Sequence, residues 1–249
     1  MEKFLIEGGV PLNGEIVPSG NKNAALPLVA ACLLSEEPVT LRNVPQIRDV
    51  LDMRRLIESL GATVEDVGHN AWRITSKNIS ASSLDPDLCR RIRASILLAG
   101  PLLARAEGMR LPPPGGDVIG RRRLDTHILA LRALGATIEY DRVFDISAHQ
   151  LYGADILLDE ASVTATENAI MAAVTAKGTT TLHNAASEPH VQELCHFLNG
   201  LGGQIENIGS NTLVIHGVDK LRGGEYAIGP DYLEVMSYVG AAAVTKGEV

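Results

Sequence analysis

The sequence predicts an α/β fold of repeated strand–helix units, three of them complete and a fourth cut short. Three observations predict it. A helix-like run ending in Leu-Gly, then Ala or Gly and a strand-like stretch, occurs as LIESLGATVE around Gly61, LRALGATIE around Gly135 and FLNGLGGQIE around Gly202. Upstream of each lies a second marker, VTLRN at Leu41, MRLPP at Leu111 and TTLHN at Leu182, with the leucines 70 and 71 residues apart. The closing stretch, DYLEVMSYVGAAAVTKGEV, opens like the first helix of another copy, and its KGEV matches AKGTT at 176–180. Internal repetition decides an architecture before any local pattern does. The same spacing beyond Leu182 puts a fourth strand just past Val249, so the sequence is expected to be incomplete.

Each copy reads as strand, helix, strand, helix, strand, strand. In the first, Asn23 to Leu34 has helical periodicity and few β-branched residues, and Ser35-Glu36-Glu37-Pro38 ends it. Val39-Thr40-Leu41 is a short strand. Asp49 to Leu60 repeats Val50, Met53, Leu56, Ile57 and Leu60 at three- and four-residue steps, an amphipathic helix. Gly61 stands where the helix end needs positive φ. Thr63–Glu65 and Trp72–Thr75 predict two strands around a polar turn. The second copy runs from Arg93 through SILLAGPLLARA, MRL, a special loop, a helix over Leu124 to Leu134, and strands at 137–139 and 143–147. The third runs from Glu167 through NAIMAAVTA, TTTLHN, a helix over Val191–Leu201, and strands at 204–206 and 212–216. LNGEI at 12–16, LYGADI at 151–156 and LRGGEY at 221–226 read as connecting strands entered through a glycine turn. Three such units can close around one another, burying the apolar helix faces inside a ring of sheets. Aromatics are only 4%, so Ala, Leu, Ile and Val must pack that centre.

The bulk numbers exclude several classes. A chain of 249 residues that is 45% apolar can bury a sizeable core, and it has no apolar run long enough to cross a bilayer. MEKFLIEGG is too acidic and too poor in apolar residues for a secretory signal, so a cytoplasmic protein with no membrane partner is expected. Cys32, Cys89 and Cys195 are odd in number and lack metal-ligand spacing; neither a disulfide framework nor a metal is expected. A net charge of −8 argues against nucleic acid. Yet RRIR at 90–93 and GRRR at 120–123 concentrate arginines, as a solvated basic face or as a site for a small phosphate or carboxylate.

Three segments stand out for chemistry. Pro18-Ser19-Gly20-Asn21-Lys22-Asn23 opens the first helix, either as an ordinary N-cap or as an anion site in which Lys22 joins the helix amides. The link from Leu111 to Arg123 is longer than its counterparts, with three prolines, three glycines, Asp117 near its tip and arginines at its base. A repeat-specific insertion of this kind marks a binding face and suits a lid over an anion better than an incidental surface loop. Asp159 to Asn168 precedes the third copy's helix and reads by default as a capping segment.

Together SGNKNAALP at 19–27, RIRASILLAGPL at 91–102, PGGDVIGRRRLDTH at 114–127, ASVTATEN at 161–168, NAASEPHV at 184–191 and PDYLE at 230–234 resemble the UDP-N-acetylglucosamine 1-carboxyvinyltransferases of the enolpyruvyl transferase family, in order along the whole chain. The resemblance implies an inside-out α/β barrel of two three-unit domains with the active site in the cleft between them. It divides the chain into the first strands of a split domain at 1–19, a complete three-unit domain at 20–229 with a mobile loop at 112–123, and an incomplete start of the remainder at 230–249. It implies transfer of the enolpyruvyl group of phosphoenolpyruvate to the 3-hydroxyl of UDP-N-acetylglucosamine, the first committed step of peptidoglycan synthesis, with no cofactor. The chain is expected to be a partial, inactive form. The alternatives are a non-catalytic UDP-sugar-binding or regulatory protein and the related 3-phosphoshikimate enolpyruvyl transferase.

By the resemblance, Lys22 and Asn23 hold phosphoenolpyruvate and Arg93 contacts the UDP-sugar. Asp117 is the proton donor. Arg122, Arg123, Leu124, Asp125 and Thr126 surround the nucleotide, and Arg122 reaches the phosphate. Glu160, Ala161, Ser162 and Val163 form a further UDP-sugar segment. The catalytic aspartate base is expected after position 249. Glu160 stands where some relatives have lysine and Arg123 where many have proline, which weakens a charge contact at the first and points to backbone contacts at the second. Many relatives carry cysteine where this sequence has Asp117. A carboxyl titrates near about 4 and a thiol near about 8.5, so Asp117 must have its proton affinity raised by a closed, anion-filled site. A carboxylate is also a poorer nucleophile than a thiolate. Treatment with the epoxide antibiotic fosfomycin should therefore leave position 117 unmodified by mass spectrometry; an adduct there would contradict this reading.

Overall fold

Three helices of this protein have no polar face, and the fold is the arrangement that hides them. In the computed structural model, which describes residues 3–80, 84–106, 108–116 and 123–249, these helices form the centre. The first is α1 (Lys22–Ala31), prolonged by a 3₁₀ turn (Cys32–Leu34), with every residue from Ala24 to Leu34 buried. The second follows a short helix, α3 (Pro86–Arg91), and consists of a 3₁₀ segment (Arg93–Leu98) running into α4 (Ala99–Ala106). The third is α6 (Val163–Ala173), buried from Ala165 to Ala173. Alanine and glycine let these backbones approach closely: a Cβ added at Gly100 would lie 2.6 Å from the carbonyl oxygen of Asn168.

The second inner helix is broken into a 3₁₀ segment and an α-helix. Pro101 explains the break, because it has no N–H to offer and its ring crowds the carbonyl four residues back. The chain runs as a 3₁₀ helix to Leu98 and restarts as α-helix at Ala99, with Pro101 in the tolerant first turn.

Around the centre lie three amphipathic helices, α2 (Arg48–Ser59), α5 (Asp125–Ala133) and α7 (Pro189–Gly200). Each ends at a glycine with positive φ: Gly61 at 101°, Gly135 at 104° and Gly202 at 100°. The strands follow the repeat: β1 (Val39–Arg42), β2 (Thr63–Gly68) and β3 (Ala71–Thr75), then β4 (Gly108–Leu111), β5 (Thr137–Asp141) and β6 (Val143–Ser147), then β7 (Asp155–Leu157), β8 (Thr179–His183), β9 (Gln204–Glu206), β10 (Thr212–His216) and β11 (Gly224–Ala227). Among the described residues they form three sheets, ordered β11-β1-β3-β2, β4-β6-β5 and β7-β8-β10-β9. β11 pairs in parallel with β1, Val39 opposite Gly224, so the end of the third unit completes the sheet of the first and ties the ring. Phe197 and Trp72 are fully buried, the largest side chains in the core.

The register of Leu41, Leu111 and Leu182 holds in three dimensions. Asn43 and Asn184 follow equivalent strands, take φ of 55° and 56°, and donate Nδ2–H bonds of 3.0 Å to the carbonyls of Ile228 and Leu158. The equivalent residue in the second copy is Pro113, which cannot adopt positive φ. The tight turn is thereby forbidden in that copy, and the long link leaves the sheet at this point.

The closing helix, α8 (Tyr232–Thr245), repeats the opening of a unit. The turn after it bonds to the segment read as a strand at 12–16: Gly14 N–H to Glu248 O at 3.0 Å and Glu248 N–H to Leu12 O at 3.1 Å. The same ladder joins Gly153 to Lys177 and Lys177 to Leu151, at 2.8 and 2.9 Å. Only an isolated bridge at Asn13 forms, not the expected strand. α8 leaves Met236, Val239 and Val244 exposed. No helix among the described residues is long and apolar enough to cross a membrane.

The asparagine turns give a direct test. Asn184→Pro should cost roughly 3 kcal/mol or more, since φ cannot be positive, whereas Asn184→Gly should cost about 1 kcal/mol for the lost side-chain bond. Urea denaturation that gives equal losses would contradict the assignment of this turn.

Candidate functional site

The ring brings the N-terminal ends of the three inner helices to one place. Lys22, Ile92 and Val163 are equivalent in the repeat, as are Asn23, Arg93 and Thr164. All six line a single cavity of about 450 Å³. Helix N-termini carry unpaired N–H groups and partial positive charge, so their convergence makes an anion site. Asn21 caps α1 by accepting from the N–H groups of Asn23 (2.7 Å) and Ala24 (3.2 Å). Lys22 reaches Asp49 at the start of α2, Nζ to Oδ2 2.7 Å, with both side chains about two-fifths exposed. Exposed pairs of this kind are worth at most about 1 kcal/mol, so an arriving anion can take Lys22 from Asp49.

Arg93, Val163 and Thr164 also line a second cavity of about 340 Å³, which adds Arg123, Glu160, Ala161 and Ser162. The two cavities are thus one groove. Its wall is fixed by bonds between α5 and the segment leading into α6. Thr126 Oγ1 donates to Asp159 at 2.7 Å. Asn168 Nδ2 donates to His127 Nδ1 at 2.9 Å, which leaves Nε2–H of His127 to donate to Thr164 Oγ1 at 3.0 Å. Asn168 also donates to Ile96 O and accepts from Gly100 N–H, both at 2.9 Å. One buried network therefore joins the second and third units behind the groove.

The residues singled out from the sequence fall into distinct groups. Lys22, Asn23, Arg93, Arg123 and Glu160 to Val163 line the groove. Leu124 packs against the core, Thr126 is buried and bonded to Asp159, and Asp125 is held by Arg123. The side chains of Leu124 and Thr126 are therefore not groove-lining; their part is to hold its wall. Asp117 and Arg122 lie outside the described residues. The base of their loop is pinned: Gly115 and Gly116 donate N–H bonds to the carbonyls of Cys89 (3.1 Å) and Arg90 (3.2 Å), and a Cβ at Gly115 would sit 1.8 Å from Arg90 O. Gly116 lines the anion cavity.

A larger cavity, about 540 Å³, lies at the other end of the inner helices, lined by the equivalent residues Leu34, Ala104 and Thr175. There the helices present carbonyl ends, which disfavour anions. Its Arg105 is engaged with the carbonyls of Leu33 (2.9 Å) and Ser76 (3.2 Å). Helix polarity, not volume, singles out the smaller cavity.

Sequence reasoning passed over Asp49, Glu167, Glu188 and His190, all of which line the anion cavity. Glu188 and His190 lie within the NAASEPHV motif, which signalled the place without a role. Burial holds His190 below its ordinary range against the opposing charges of Glu188 and Asp231, and its Nδ1 lies 3.1 Å from the Tyr232 hydroxyl.

Burial, with Arg93 adding to it, pushes His127 down to about 3. A depressed histidine contributes stability that is complete above the unfolded value near 6.5 and lost as pH falls towards 3, because only the unfolded chain takes up the proton in that window. His127→Gln should flatten the stability curve between pH 6.5 and 3, removing on the order of 3–4 kcal/mol of pH dependence. Urea midpoints across that range check this; an unchanged curve would contradict it.

The sequence matches, over residues 6–249, the family described as EPSP synthase (3-phosphoshikimate 1-carboxyvinyltransferase). It is 58% identical over 249 residues to a UDP-N-acetylglucosamine 1-carboxyvinyltransferase of Treponema denticola, covering 100% of this chain and 58% of that one. It is 59% identical over 244 residues to the same-named protein of Bradyrhizobium diazoefficiens, covering 98% and 57%. The chain thus spans less than two thirds of the length of these relatives. Among solved structures, the enolpyruvyl transferase NikO from Streptomyces tendae superposes with a TM-score of 0.81 at 26% identity, over 94% of this chain and 56% of that one. EPSP synthase from Acinetobacter baumannii, at 20% identity, shows the same fold with a TM-score of 0.78, over 97% of this chain and 55% of that one. The chain belongs to the EPSP synthase (3-phosphoshikimate 1-carboxyvinyltransferase) family, with the enolpyruvyl transferase fold.

Proposed function

We propose that this protein takes part in transfer of the enolpyruvyl group of phosphoenolpyruvate to the 3-hydroxyl of UDP-N-acetylglucosamine, releasing phosphate, in the peptidoglycan pathway of the cytoplasm. The observation that carries the reading is the groove in which three helix N-termini meet beside Lys22 and Arg93. The names of the relatives matched along the whole chain support this acceptor over a shikimate one. Residues 20–229 act as one wall of the cleft, and 1–19 and 230–249 belong to the other.

The chemistry sets what the groove must do. The product keeps the carbon–carbon double bond, so addition must be followed by elimination. A proton goes to the methylene carbon, the sugar oxygen bonds to the neighbouring carbon, and loss of a methyl proton with departure of phosphate restores the double bond. Such a sequence needs an acid on one side, a base on the other and cations on phosphate and carboxylate. Lys22, released from Asp49, and the amide ends of α1 and α6 receive the phosphate. Arg93, shared by both cavities, orients the diphosphate relative to it. Ser162 and Val163 offer backbone groups to the sugar nucleotide. Asp117, which follows Gly116 at the cavity rim, supplies the proton, and Arg122 assists at the phosphate.

Calorimetry with UDP-N-acetylglucosamine, then phosphate release on adding phosphoenolpyruvate, tests this. Binding with turnover is expected of the complete enzyme. Binding without turnover in the complete enzyme points to a sugar-nucleotide-binding protein, and no binding rejects the reading. Lys22→Ala should lower turnover by roughly 100- to 1000-fold, the usual effect of removing one preorganised charge, with Lys22→Arg losing less. Unchanged turnover in Lys22→Ala would contradict its role.

A further inference from the structure

One group in the anion cavity has no part in the account above. In the register of the repeat, Leu26, Ile96 and Glu167 are equivalent, one full turn into each inner helix. Leu26 and Ile96 are buried apolar residues, as that place requires for packing. Glu167 is buried to the same degree, 1% exposed, and lines the anion cavity with Lys22 and Asn23. Its Oε1 has no hydrogen-bond partner among the described residues. A buried, unpartnered carboxyl is costly, and the two sister positions show that packing alone is served by an aliphatic side chain.

We propose that Glu167 is a neutral hydrogen-bond donor on the floor of the anion cavity, giving its proton in a hydrogen bond to a phosphate or carboxylate oxygen of the bound ligand. The inference rests on the enolpyruvyl reading and deepens it by assigning a residue that recognises the small anionic substrate. The surroundings agree with it. Glu188, the N-cap of α7, opposes ionisation, and Cys195 on α7, whose thiol burial pushes up to about 12, stays neutral. His190, in the first turn of α7, is held below its ordinary range by burial. Lys22 on α1 is turned to Asp49 on α2, and Arg91 and Arg93 line the same cavity. Burial, with Glu188 second, holds Glu167 well above the carboxylate range. A neutral carboxyl adds a donor without adding repulsion, whereas the ionised form would repel the anion. Ligand binding should therefore weaken as pH rises through the Glu167 titration.

Three versions of the chain separate this role from a structural one: wild type, Glu167→Gln, which keeps a neutral donor, and Glu167→Leu, which restores the repeat residue. Infrared difference spectra between wild type and Glu167→Gln should show a protonated carboxyl at neutral pH; its absence overturns the proposal. Calorimetry with phosphoenolpyruvate at saturating UDP-N-acetylglucosamine should show Glu167→Leu weakened about tenfold, the loss of one hydrogen bond to a charged group. Glu167→Gln should bind within about threefold of wild type at pH 7 and lose the wild-type decline with rising pH. Both variants should melt at or above the wild-type temperature, because a buried ionisable group with raised proton affinity lowers stability as pH rises. Glu167→Leu binding as tightly as wild type overturns the donor role alone. Wild type binding neither ligand overturns the enolpyruvyl reading and the donor role with it.

Discussion

Three helices that cannot face water on any side must bury one another, and the rest of the molecule follows from this. With alanine and glycine at their contacts, α1, the Arg93–Ala106 segment and α6 pack closely enough to form a centre with few aromatics. All three start at equivalent places in the repeat, so their amide ends meet at one end and their carbonyl ends at the other. The sheets and outer helices are the cover that this centre requires. The closing pair of β1 with β11 fixes the ring and, with it, the distance between Lys22 and Arg93.

The scaffold repeats, but the chemistry does not. Equivalent positions around the anion cavity carry different side chains, Asn23 with Arg93 and Thr164, and Leu26 with Ile96 and Glu167. A symmetric ring thereby offers a cation on one side, a hydroxyl tied to His127 on another, and a buried carboxyl at the floor. The same substitution logic shapes the second copy's loop, where Pro113 replaces an asparagine that the other copies hold at positive φ. The network of Asn168, His127 and Thr164 locks the second and third units together behind the groove, since each buried polar atom in it depends on the next.

Much of this was legible in the sequence, and the reasons are physical. Leucine spacing and the Leu-Gly helix ends report the backbone directly, because only glycine is comfortable at the φ these ends need. Lys22, Asn23 and residues 160–163 were legible as candidates because motifs of that kind lie at helix starts, and all of them line the groove. Asp49 was not visible, because it reads locally as an ordinary helical residue and reaches the cavity only through packing between units, while Glu167 and His190 lie inside motifs that marked the place without a role. Glu167 had one signal, an acid in an otherwise apolar register, and it emerges only when the copies are laid over one another. The break at Leu98 leaves no mark in the hydrophobic pattern, because Pro101 sits in a run of apolar residues that looks unbroken.

The central claim is that helix polarity, rather than cavity size, places the anion. The most direct test is amide chemical-shift mapping by NMR as inorganic phosphate and then UDP-N-acetylglucosamine are added. The account requires the largest shifts at Asn23, Ala94 and Thr164, with Ala104 and Thr175 unmoved. Shifts concentrated at Ala104, Thr175 and Lys177, around the larger cavity, would contradict it.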